Sequence, residues 1–217
     1  MGFNVILFDL DGTLTDPAIG ITNSVAYALK KMGIAPPERK ELLKFIGPPL
    51  AGSFEKYYGL SKEESYKAVD IYREYFAPKG IFENTLFEGV PEMLSDLKKS
   101  NKIVALATSK PTVFAEKILK HFNLYDYFDL VVGSNLDGTL TDKAEVVSVV
   151  LERLGLKDTK TAIMVGDRSH DIIGGTKNNL TTVGVTFGYG SENELMEAGA
   201  TNIVHSVIEL KNLLLGN

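Results

Sequence analysis

At 217 residues and 44% apolar content the chain can bury a sizeable core, which excludes a disordered segment. Its formal net charge of −5, with no run of Lys or Arg, excludes a nucleic-acid-binding or anionic-membrane surface. The lack of cysteine removes disulfides, thiolate metal sites and cysteine nucleophiles together.

Met1-Gly2-Phe3-Asn4 leads straight into an apolar run, with neither a basic leader nor a segment long enough to span a bilayer, so a cytoplasmic protein is expected. Gly2 is no myristoylation site, because Ile6 stands where Ser or Thr is required. Val5-Ile6-Leu7-Phe8 does not alternate with polar residues, which is the pattern of a strand covered on both faces in a parallel sheet. The run ends in Asp9-Leu10-Asp11-Gly12-Thr13, two carboxylates one residue apart beside a turn signal. Ligands of open α/β sheets bind at that edge. Two acids there repel unless a cation or a shared proton lies between them, so the pair asks for Mg²⁺ or for a division of roles. Asp9 as a carboxylate nucleophile toward phosphorus, with Asp11 as proton donor to the leaving oxygen, meets that demand. An Asp-rich turn that caps a helix fits the same residues.

Pro17 opens a helical pattern in which Ile21, Val25, Ala28, Leu29 and Met32 share one face before Gly33 and Pro36-Pro37 end it. Short helices follow near Glu38 to Phe45 and Ala51 to Tyr58, and Ser61 with Glu64 forms a capping box for a helix that ends at Pro78. No strand signal interrupts this stretch. From Phe87 onward, helices and strands alternate: helix Glu92 to Lys99, strand Lys102 to Ala107, helix Thr112 to His121, strand Leu130 to Val132, helix Asp142 to Leu154. Strand Ala162 to Val165, a helix from Asp171, strand Thr182 to Val185 and a last strand and helix through Leu215 complete the rhythm. This is the signature of an α/β fold, a doubly wound parallel sheet. Residues 1–15 and 87–217 are expected to form that unit, with 16–86 an inserted all-helical cap domain.

Three later strand ends carry chemistry. Thr108 and Ser109 offer hydroxyls that donate to a phosphoryl oxygen without adding charge, though before Pro111 they also read as a helix N-cap. Lys143, at the start of a helix, can balance the acids; alone it reads as a surface lysine. Gly166-Asp167-Arg168-Ser169-His170-Asp171 places another acid pair at a strand end. A hard divalent ion takes one or two carboxylates beside waters and a substrate phosphate, so the candidate metal ligands are Asp9, Asp11, Asp167 and Asp171. Asp171 fits equally as the residue that orients those waters or Lys143. His170 reads as a surface residue, and His121 and His205 show no partner pattern.

In that order, Asp9-Leu10-Asp11-Gly12-Thr13, Thr108, Lys143 and Gly166-Asp167 with Asp171 resemble the motifs of the haloacid dehalogenase superfamily. The helical insert resembles that superfamily's small cap. Ala107-Thr108-Ser109-Lys110-Pro111 and Gly188-Tyr189-Gly190 resemble the branch of phosphoglycolate phosphatases and bacterial 5′-nucleotidase-like phosphatases. The resemblance implies a Mg²⁺-dependent phosphatase with Asp9 as nucleophile, Asp11 as acid and base, Thr108 as phosphoryl hydrogen-bond donor, Lys143 as charge stabiliser and Asp167 as metal ligand. Gly12, Thr13 and the backbone N–H groups after Asp9, together with Ser109, are expected around the phosphoryl group. Gly47, in the loop Phe45-Ile46-Gly47-Pro48-Pro49-Leu50, is expected to meet the rest of a small soluble phosphate ester, and Lys44 and Lys110 read either as cations for a second anionic group or as solvated lysines. No nucleic-acid polymer or membrane is an expected partner, and the sequence carries no signal for oligomeric state.

Two features depart from the pattern. Ala144 stands where many relatives have proline, which bears only on the local turn. Leu136-Asp137-Gly138-Thr139-Leu140-Thr141-Asp142 repeats Leu10 to Asp16 letter for letter, but Asn135 replaces Asp9, and an amide cannot attack phosphorus; the repeat reads as a loop leading to Lys143. The alternatives are a sugar phosphomutase of the same family and a phosphoaccepting receiver-like signalling module. By resemblance a receiver is shorter, lacks a lid and takes its phosphate on a later strand.

Overall fold

Val5–Phe8 form strand β1, and all four residues are buried, as expected for a run without polar alternation. The computed structural model describes residues 3–216; Gly2, and with it the myristoylation reading, lies outside the described residues. After β1 come β2 (Thr15–Asp16), α1 (Ala18–Lys31), α2 (Arg39–Leu42), α3 (Leu50–Tyr58), α4 (Lys62–Phe76) and β3 (Thr85–Leu86). The remainder runs α5 (Val90–Lys99), β4 (Ile103–Pro111), α6 (Thr112–His121), β5 (Leu130–Ser134), α7 (Lys143–Arg153), β6 (Ala162–Gly166), α8 (Ser169–Lys177), β7 (Thr181–Val185), α9 (Glu192–Glu197), β8 (Asn202–Val204) and α10 (Val207–Leu215).

The chain divides into two compact units, one of residues 1–16 and 86–217, the other Pro17–Thr85. In the first, six strands pair in the order β5-β4-β1-β6-β7-β8, all parallel. The chain runs outward from β1 on one side through β4 and β5, then returns and runs outward on the other through β6, β7 and β8. The crevice where strand order reverses therefore opens at the carboxyl end of β1. Register holds the neighbouring strand ends level with it, since Phe8 pairs with Leu106 on β4 and with Val165 on β6. Beneath one face Val5, Leu7, Ala105 and Met164 pack with Val146, Val147 and Val150 of α7, burial that contributes roughly 1.5–3 kcal/mol for each large apolar side chain.

In the second unit α1 packs on α4, with Ile21, Val25, Ala28 and Leu29 of α1 buried, and Phe45 meets Phe54 at a ring separation of 5.0 Å. The expected capping box is present: Glu64 N–H donates to Ser61 Oγ, and Ser61 N–H to Glu64 Oε2. Gly20 lies so close to the Gly80 carbonyl that a Cβ would overlap it, which fixes α1 against the 3₁₀ turn Gly80–Phe82. Among the described residues no helix is long and apolar enough to cross a membrane.

Several elements differ from expectation: a short strand, β3, lies at the end of the stretch expected to be all-helical, and α8 starts at Ser169 rather than at Asp171. Strand β4 continues past Ala107 through Thr108 and Ser109, with a register shift against β5 between Ala107 and Pro111, and the residue that caps α6 is Pro111. Helix α9 was not expected, because six residues with Leu195 their single buried member leave no apolar periodicity.

Candidate active site

Asp9 follows β1 directly, and its N–H donates to the Val165 carbonyl at 2.9 Å, so the neighbouring strand holds it in place. Its side chain is 7% exposed, and the carboxylate accepts from Lys143 Nζ at 2.7 Å. Lys143 is set by its own helix start: Asp142 Oδ1 accepts from the Ala144 and Glu145 N–H groups, so α7 begins with the ammonium directed inward. Ala144 supplies an N–H here that proline lacks, and the turn forms without it. On α8 a Cβ at Gly174 would stand 2.7 Å from Lys143 Cγ, so only glycine lets the lysine stem pass. The ammonium also bonds the Ala107 carbonyl at 2.9 Å and Asp171 Oδ1 at 2.9 Å.

Asp167 follows β6 and is fully buried. Oxygens of Asp9, Asp167 and Asp171 lie within 4.8 Å of one another. Of these three acids, Asp9 and Asp171 share one lysine, and the electrostatics show the excess of carboxylate. Burial pushes Asp171 up to about 6 against the pull of Lys143, with Asp9 adding to the rise. Burial, then Asp171 and Asp9, raise Asp167 well above the ordinary carboxylate range. Burial acts to lower Lys143, but Asp171 and Asp9 outweigh it and hold the ammonium above its ordinary value. Asp167 Oδ1 is buried without a hydrogen-bond partner among the described residues. A surplus of buried carboxylate with an open oxygen fits a hard divalent cation, which Asp9 and Asp167 could hold, with Asp171 beside them.

Asp11 does not join this acid cluster. Its Oδ2 pairs with Lys110 Nζ at 2.8 Å, and its buried Oδ1 has no hydrogen-bond partner among the described residues. Burial raises the Asp11 carboxyl, Lys110 opposes the rise and Asp9 reinforces it. Lys110, read from sequence as a cation for a second anionic group or a solvated lysine, is in fact a buried partner of Asp11, its side chain 6% exposed.

The other expected residues divide. Thr108 is buried and its Oγ1 accepts from the Lys110 N–H at 3.3 Å, which leaves the hydroxyl proton to be donated. Ser109 donates instead to the Thr141 carbonyl at 3.2 Å and ties β4 to the loop before α7. Gly12 and Thr13 have their N–H groups engaged by the Thr15 and Leu10 carbonyls at 2.8 and 3.3 Å, so they are not the loop's free backbone donors. Gly12 has a positive φ of 83° and lies against the Asp167 carboxylate, where a Cβ would overlap it. Lys44 and Gly47 belong to the helical unit, where Lys44 Nζ stands 4.3 Å from the Tyr57 ring centroid and Gly47 turns the chain with φ 100°. The repeated stretch from Leu136 forms an exposed turn in which Asp137 Oδ1 accepts from the Thr139 N–H at 2.9 Å.

A model of the family described as haloacid dehalogenase-like hydrolase matches residues 6–185. The chain belongs to this family. The hydrolase is 43% identical over 96% of its length to a 5′-nucleotidase of Pseudomonas aeruginosa, covering 94% of that protein. It is also 34% identical over 97% of its length to a protein of Mycobacterium tuberculosis named tyrosine-protein kinase PtkA, covering 72% of it. A solved structure, a predicted phosphatase from Clostridium acetobutylicum, superposes with a TM-score of 0.97 at 50% identity and full coverage of both chains.

Sequence reasoning named Tyr189 only within Gly188-Tyr189-Gly190 and gave neither it nor Asp16 a role in the site. The Tyr189 N–H donates to Asp167 Oδ2 at 2.7 Å, and its hydroxyl bonds Asp16 Oδ1. The two glycines that flank Tyr189 after β7 were the signal of a close backbone approach.

Proposed function

We propose that this hydrolase is a Mg²⁺-dependent phosphomonoesterase that works through an aspartyl-phosphate on Asp9. One observation carries the reading: a buried carboxylate at the switch point of the sheet, bonded to Lys143, with the separately paired Asp11 two residues on. In the first step an Asp9 oxygen attacks phosphorus, the ester P–O bond breaks, and Asp11 gives its proton to the leaving oxygen. Burial favours the protonated Asp11 that this step needs. In the second step Asp11 takes a proton from water, the water oxygen attacks phosphorus, and the P–O bond to Asp9 breaks to release inorganic phosphate. Lys143 and Thr108 hold the equatorial oxygens, joined by the Leu10 and Asp11 N–H groups. Mg²⁺, held by Asp9 and Asp167, would offset the charge of the acids and the phosphoryl group.

The substrates are small phosphate esters. The relative named 5′-nucleotidase supports 5′-mononucleotides, and the sequence resemblance supports phosphoglycolate. Largely apolar contacts separate such substrates by only about 1–3 kcal/mol per group, so both are expected to be hydrolysed. A phosphate-release panel tests this. Asp9→Asn should abolish turnover on every substrate while circular dichroism shows the fold intact; substantial activity in that variant removes Asp9 from the role.

A further inference from the structure

Tyr189 faces two ways. It lies in the loop Thr186 to Gly190 that follows β7, and the backbone of that loop is pressed against the acid cluster. A Cβ at Gly188 would overlap the Gly12 carbonyl and the Asp167 side chain, and one at Gly190 would overlap the Asp167 carbonyl. Between them the Tyr189 N–H donates to Asp167 Oδ2 at 2.7 Å. That bond distinguishes the two oxygens of one carboxylate: Oδ2 is engaged, and Oδ1 is left buried with no hydrogen-bond partner among the described residues. Two flanking glycines give the loop backbone freedom and no side chains of their own to anchor it. The anchors are Phe187, whose ring packs edge-on to Phe87 at 5.1 Å, and the Tyr189 hydroxyl, which donates to Asp16 Oδ1 in β2. Burial, then Asp16, raises the phenol above its ordinary value, so it remains a donor at neutral pH.

We propose that Tyr189 is a positioning residue for the metal: its hydroxyl, held by Asp16, fixes the loop whose N–H orients Asp167 so that Oδ1 is presented to the ion. The proposal rests on the reading of Asp167 as a metal ligand. Neither Tyr189 nor Asp16 touches the reacting atoms in this role; both act through Asp167.

The test is ion binding without substrate, by titration calorimetry with Mg²⁺ and by the electron paramagnetic resonance of free Mn²⁺, on wild type, Tyr189→Phe, Asp16→Ala, their double variant and Asp167→Asn. Tyr189→Phe keeps the ring and should weaken binding about 10-fold, the lower end of what loss of an outer-sphere partner costs. Its kcat at saturating Mg²⁺ should stay within about twofold of wild type, so that the loss appears in the Mg²⁺ requirement and not in turnover. The double variant should bind no more weakly than the poorer single variant, because the two substitutions break the same bond. Wild-type ion affinity in Tyr189→Phe overturns the proposal, and so does a lowered melting temperature and kcat with affinity unchanged, which marks a merely structural tyrosine. If Asp167→Asn also binds the ion as wild type does, the metal reading itself fails; if Asp167→Asn loses the ion while Tyr189→Phe keeps it, the positioning role alone fails.

Discussion

Lys143 is the residue on which the charge balance of the site turns, since its ammonium is shared by Asp9, Asp171 and the Ala107 carbonyl. Lys143→Met should lower kcat by at least about 100-fold and destabilise the protein by about 3–5 kcal/mol, because the acids keep their burial and lose their counter-charge. Urea denaturation checks the second figure, and stability equal to wild type would mean that the acids are neutral without the lysine. Asp11 calls for a subtler test. Asp11→Asn should cost most on esters of alkyl alcohols and least on p-nitrophenyl phosphate, whose leaving group needs little protonation. Equal losses on both would argue against Asp11 as the acid. Asp9 and Asp11 were legible because two carboxylates at the end of an unbroken apolar run have few structural explanations. The Lys110 partnership with Asp11 was not, since it joins residues 99 positions apart that no local pattern connects (110 − 11).

Elements are fixed by their ends. Glu194 of α9 accepts from the Arg168 Nε at 3.0 Å and from the Ser169 N–H at 2.9 Å, and so holds the start of α8 beside Asp167. Burial acts to raise the Glu194 carboxyl, but the Ser169 N–H and Arg168 outweigh it and hold it below its ordinary value. A lowered acid contributes stability above its unfolded pKa and loses it as pH falls through the folded one. Glu194→Gln should therefore be less stable than wild type at pH 7, by no more than about 1 kcal/mol for a pair this close to solvent, and the difference should vanish in acid. A gap that persists with the same size below the folded pKa would show that packing, not charge, is lost. In the helical unit Gly20→Ala drives a methyl into the Gly80 carbonyl, a backbone atom that cannot swing aside, and should cost about 1–3 kcal/mol in thermal unfolding. Long periodic helices such as α1 and α4 were readable from sequence. The path of β4 through Thr108 was not, because its continuation depends on pairing with β5, and Thr108 before a proline looks the same in a strand as in a cap.

At the scale of the whole molecule, a change of rhythm told most: helices without strands up to Phe87, alternation after it, and a first strand that had to rejoin the later ones. The strand order sets β1 beside β6 in register, which places Asp9 and Asp167 together at the carboxyl edge of the sheet. Sequence does not carry how Asp9 and Asp171 divide one lysine beside the buried Asp167, because that depends on register and burial together. With that division, EDTA should silence the enzyme and Mg²⁺ restore it, while Ca²⁺, with its looser shell, should bind and fail to support turnover; full activity in excess chelator would remove the metal from the account. The most direct measurement is rapid acid quench during turnover of p-nitrophenyl phosphate with Mg²⁺, followed by peptide mass spectrometry. A good leaving group speeds the first step and makes breakdown of the intermediate limiting, so a phosphoryl group should accumulate on Asp9 and on no other residue. Steady release of p-nitrophenol with no phosphoryl group on Asp9 at any quench time, or with the group on a different side chain, would contradict the covalent role of Asp9.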